Sequence, residues 1–73
     1  MNQVSQLVEN TKTVTVFEVE ANKFLVEYVD TGVGEAGYSL LAGHYSTVEA
    51  ATAKAQELFG AESITGEMLL GDM

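Results

Sequence analysis

Cysteine, proline, tryptophan and arginine are all absent from this 73-residue chain, and lysine occurs only three times. Without cysteine there is no disulfide and no thiolate for a structural zinc. The single histidine, His44, excludes a Cys/His metal cluster, so neither a metal nor a cofactor is expected. Cysteine-free composition also fits a reducing compartment. No apolar run approaches the ~20 residues that span a bilayer. Met1 to Asn10 has neither the basic nor the apolar region of a signal peptide, which points to the cytoplasm.

The scarcity of cations excludes more. Lys12, Lys23 and Lys54 stand against eleven acids, for a formal charge of −8. Direct binding of nucleic acid needs lysine and arginine to neutralise phosphates, and anionic membranes repel the same surface. The partner that suits this charge is a basic protein surface. Solubility, or adaptation to high salt, would also account for it.

What is present is a foldable domain. The hydrophobic fraction is 47%, too high for a disordered acidic tail. A chain this short buries only ~60% of its unfolded surface, so apolar packing or self-association must supply its stability. With no low-complexity stretch, residues 1–73 form one domain, and 1–10 are a tail or a short helix.

Thr13–Val19, Phe24–Asp30 and Tyr38–Tyr45 are rich in β-branched and aromatic residues and read as strands, with a bulge at Gly43. A turn at Ala21–Asn22 sets Glu20 opposite Lys23, Val19 opposite Phe24 and Phe17 opposite Val26. One face then collects Phe17, Val19, Phe24, Val26 and Tyr28 as core. The other carries Val14, Val16, Leu25 and Val29 among Glu18, Glu20, Lys23 and Glu27. Ser46 and Glu49 form a capping box for a helix that buries Val48, Ala51, Ala55, Leu58 and Phe59 and stops at a left-handed Gly60. Ser63–Leu70 reads as a last strand. The expected fold is α+β, a small antiparallel sheet with one helix on one face, in the order β-β-β-α-β.

Gly32, Gly34 and Gly37 spell G-x-G-x-x-G. The fingerprint needs a helix after the third glycine, and YSLLAGHY is strand-like, so the segment reads as a hairpin loop. His44 has no neighbouring base or nucleophile, and 73 residues leave little room for a shielded pocket, so an enzyme is not expected. A small-ligand site built from the glycine loop and His44 is the weakest alternative.

In size, acidity and its small sheet with a helix from Ser46 to Phe59, the chain resembles small phage and mobile-element inhibitors of the anti-CRISPR and DNA-mimic type. That resemblance implies a non-enzymatic protein, in the host cytoplasm if phage-encoded, that blocks a bacterial defence or nucleic-acid-processing protein. Glu18, Glu20, Glu27 and Asp30 on the first hairpin, with Glu35 in the loop, are the densest acids and the expected contact. The alternative is a homodimer through the open sheet face, using Val14, Val16, Leu25 and Val29, with Tyr38 and Tyr45 as aromatic anchors.

Overall fold

Four strands run antiparallel in sequence order: β1 (Asn2–Glu9), β2 (Lys12–Glu20), β3 (Lys23–Asp30) and β4 (Tyr38–Tyr45). The helix α1 (Val48–Gly60) and a 3₁₀ turn (Gly66–Leu69) follow. The computed structural model describes residues 2–32, 38–62 and 64–70, with only the backbone of Tyr38. Gly34, Glu35, Gly37 and the Tyr38 phenol thus lie outside the described residues.

The α+β class with one helix on an antiparallel sheet is as expected; the order is not. The helix follows all four strands, because residues 2–9 are a strand and residues 64–70 are not, Ser63 lying outside the described residues. β1 is an edge strand whose side chains are exposed apart from a half-buried Leu7, so it carries no alternating apolar signature. Near the C-terminus, Met68 and Leu69 are adjacent and both pack against the core. A helical turn permits that, whereas a strand sends neighbours to opposite faces. The Tyr45 hydroxyl donates to the Leu70 carbonyl at 3.2 Å and holds this segment down.

The two tight hairpins share a plan. Glu9 faces Lys12 across Asn10–Thr11, and Glu20 faces Lys23 across Ala21–Asn22. Asn10 (φ 55°), the first residue of its turn, and Asn22 (φ 60°), the second of its own, each take a left-handed backbone, which asparagine tolerates better than most residues.

Beyond the second turn the register departs from expectation. Glu20 does face Lys23, but Glu18 faces Phe24, Phe17 faces Leu25 and Val16 faces Val26. Val19 is the extra residue of a bulge, and the rest of β2 presents the opposite face from the one expected. The physical reason lies in β2 itself. The unbulged register would have put Thr13 and Thr15 in the core with Phe17. The bulge instead buries Val14 (0% exposed) and Val16 (1%). They join Val26, Tyr28, Ala42 and Tyr45 beneath Ala51, Ala55 and Leu58 of α1. Val14, Val16 and Tyr45 are therefore core residues and not part of an open face. Phe17 moves to the open face, and Val19 is 39% exposed.

Two further bulges lie at the same end of the sheet, at Val4 on β1 and at the expected Gly43–His44 on β4. Bulges raise local twist, which helps four strands wrap a single helix.

Thr47, not Ser46, caps α1: its Oγ1 accepts from Ala50 N at 3.2 Å. The capping box is displaced, because the third helical position is now Ala50. Glu49 still lies in the first turn, where it favours the helix dipole. Gly60 is the last helical residue, and the chain leaves through an extended Ala61 (φ −77°) rather than a left-handed glycine. The last turn holds no basic residue. Lys12 of β2 supplies one, its Nζ donating to the Phe59 carbonyl at 3.3 Å. Lys12→Met keeps the aliphatic stem and removes this charge. It is expected to lower unfolding free energy by about 0.5–1.5 kcal/mol in urea titration.

Candidate interaction surface

The acids expected to act together are divided by the register. Side chains of β2 and β3 alternate between the helix side and the open side of the sheet. Glu18 and Asp30 fall on the helix side, near opposite ends of their hairpin, whereas Glu20 and Glu27 fall on the open side. Glu35 lies outside the described residues.

Asp30 is engaged inside the fold. Its Oδ1 accepts from Gly32 N at 2.9 Å and from Thr11 Oγ1 at 3.0 Å, and its Oδ2 accepts from the Tyr28 hydroxyl at 3.4 Å. Thr31 N donates to the Thr11 carbonyl at 3.0 Å, so this corner ties the first turn to the end of β3. Gly32 is needed there for space: a Cβ would fall 2.6 Å from Thr11 Oγ1.

The Gly32 backbone bond, more than the Thr11 and Tyr28 hydroxyls or the nearby Lys12 charge, holds the Asp30 carboxyl below its ordinary 3.8. A carboxyl with a lowered folded pKa stabilises the protein above its unfolded pKa, and that contribution fades as pH falls through the folded value. Acid titration of Asp30→Asn should therefore lose less stability below about pH 3.8 than the parent chain loses. Equal losses would show that the corner does not bind the carboxylate.

Every lysine is used within the chain. Lys12 caps α1, Lys23 pairs with Glu20 at 3.3 Å, and Lys54 pairs with Glu57 at 2.7 Å. Of the eleven acids, Glu35 and Asp72 lie outside the described residues, leaving nine. Seven of those nine occupy the helix side: Glu9, Glu18 and Asp30 on the sheet, Glu49 and Glu57 on α1, and Glu62 and Glu67 beyond it. Only Glu57 among the seven pairs with a lysine.

The open side has another character. Phe17, Leu25 and Val29 are half-buried there, and Val8 (61%) and Leu41 (55%) are exposed. By register they share that face with Thr13, Thr15 and Glu27. Gln6 Nε2 donates to Thr15 Oγ1 at 3.2 Å, which satisfies the buried hydroxyl at its centre. Among the described residues no element packs on this face. Leu25 and Val29 are where the sequence placed them; Phe17, Val8 and Leu41 were missed. The polar pair Thr13/Thr15 was the available signal, since it marks Phe17 as a partner of the wet face.

His44 is exposed within the β4 bulge. Among the described residues no three histidine or carboxylate groups converge as a metal site, and no helix is long and apolar enough to cross a membrane. Comparison with known proteins gives no matching family model, no matching curated protein and no matching solved structure. Function must be inferred from geometry and charge.

Proposed function

We propose that this chain is a small non-enzymatic inhibitor or interaction protein of the cytoplasm, and that its helix side binds a basic protein surface. The observation that supports this reading is the excess of carboxylates on the helix side, where seven described acids stand against only Lys12 and Lys54, both already engaged within the chain. Nucleic-acid-binding clefts are lined with lysine and arginine positioned for phosphates. A rigid domain about 24 Å across and 36 Å long can present carboxylates to such a cleft and keep nucleic acid out. The resemblance to phage-type inhibitors suggests the target class, a bacterial defence or nucleic-acid-processing protein.

Long-range attraction makes such association fast and sensitive to salt. The test is inhibition of purified defence nucleases, with affinity measured at low and high ionic strength. The reading predicts that rising salt weakens inhibition, that Glu49→Lys and Glu57→Lys each weaken it about tenfold, and that Glu27→Lys on the open side has less effect. Inhibition indifferent to salt and to both helix substitutions would reject the electrostatic mechanism. Failure to inhibit any such nuclease would reject the target class.

A further inference from the structure

We infer that the open sheet face is covered by a second copy of this chain, forming a two-sheet sandwich with both helices outward. Charge distribution selects this occupant. A second copy also carries −8, so it can approach only where acids are few. The open face holds two of the nine described acids, and one of them, Glu20, is already paired with Lys23. Approach through the helix sides would oppose seven carboxylates to seven.

The face is also self-complementary. Along β3 its side chains run Lys23, Leu25, Glu27, Val29. A two-fold axis across the strand at Leu25 lays Leu25 on its copy and Lys23 over Glu27 of the second copy, twice by symmetry. Phe17 lies beside Leu25 on β2 and meets its own counterpart near the same axis. The axis therefore gathers Phe17 and Leu25 at the centre with Leu41 and the Lys23–Glu27 pairs around them, while Val8 and Val29 lie beyond the overlap.

With the axis at Leu25 the two faces overlap from Lys23 to Glu27, roughly 300 Å² per copy at ~4.8 Å between strands and ~3.3 Å per residue, which is the size of a weak, concentration-dependent dimer. Aligned packing of two twisted sheets is a standard way to bury such faces. This inference does not depend on whether the helix side meets a basic target. A dimer would nevertheless present two acidic sides, pointing in opposite directions.

The test is molar mass by light scattering and sedimentation on the full chain, with circular dichroism to confirm folding. The parent chain is expected to approach twice the monomer mass as concentration rises. Leu41→Lys, at an exposed position that does not threaten the fold, is expected to weaken dimerisation at least tenfold. Lys23→Glu is expected to weaken it and Lys23→Glu/Glu27→Lys to restore it in part, since the swap rebuilds the facing pair but leaves Glu20 without its lysine. A parent chain that stays monomeric at high concentration overturns the inference. So does a dimer unaffected by Leu41→Lys and Lys23→Glu but broken by Glu49→Lys, because that would place the interface on the helix side. A folded monomer that uses Leu41 to bind a different protein also overturns it.

Discussion

Val16→Glu is expected to unfold the chain, whereas Phe17→Glu, one residue away, leaves it folded. The two residues look alike in sequence, apolar neighbours on one strand. Val16 is 1% exposed and lies in the core cluster with Val14 and Val26. A carboxylate there would be stripped of water with no cation to receive it, since the three lysines act elsewhere. Leaving a buried charge uncompensated costs about 3–5 kcal/mol or more. A domain of this length has only about 4–11 kcal/mol in total, taking ~0.05–0.15 kcal/mol per residue. Phe17 lies on the open side, where a new carboxylate keeps access to solvent. Far-UV circular dichroism and urea titration check both. A stable Val16→Glu beside an unfolded Phe17→Glu would mean that the faces of β2 are exchanged.

Leu58→Ala should be the most damaging truncation in the helix. Leu58 is fully buried and is the largest of the fully enclosed side chains. Its helical companions in the core are Ala51 and Ala55, too small to fill the space it would leave. Leucine-to-alanine changes at such sites cost about 3–5 kcal/mol, the lost transfer energy plus a cavity that a rigid sheet cannot close. At roughly 4–8 °C per kcal/mol for a small domain, the Tm should fall by more than about 10 °C. Phe59→Ala, at a half-buried position on the rim of the core, should cost less. Differential scanning calorimetry of the two variants gives the comparison. A smaller loss at Leu58 than at Phe59 would show that the helix is rotated about its axis.

Much of the architecture is legible in the sequence because it follows from strong local rules. The β-branched run in β2, the i, i+3, i+4 spacing of Ala51, Ala55 and Leu58, and the E-x-x-K hairpin at Ala21–Asn22 each specify their element. What escapes is set by context. β1 is an edge strand with an almost wholly exposed surface, so its residues carry no burial pattern. Its one local signal is Glu9-Asn10-Thr11-Lys12, which repeats the turn plan of Glu20-Ala21-Asn22-Lys23 eleven residues earlier. The face of β2 turns on a single bulged residue, Val19, and one extra residue moves every side chain beyond it to the other side. The candidate surface inherits that dependence. Glu18 and Glu20 look adjacent in sequence but fall on opposite sides, and Asp30 looks available but is taken up by Gly32, Thr11 and Tyr28. The segregation of acids toward the helix is a property of the folded chain that no linear spacing encodes.

Both proposed surfaces depend on which side of β2 faces the helix, and nuclear Overhauser contacts between assigned side chains read this directly. Val14 and Val16 methyl protons should show cross-peaks to Ala51, Ala55 and Leu58, while the Phe17 ring shows them to Leu25 and none to the helix. Cross-peaks from the Phe17 ring to Ala55 or Leu58, with Val16 silent toward the helix, would contradict the Val19 bulge, and both surfaces would fall with it.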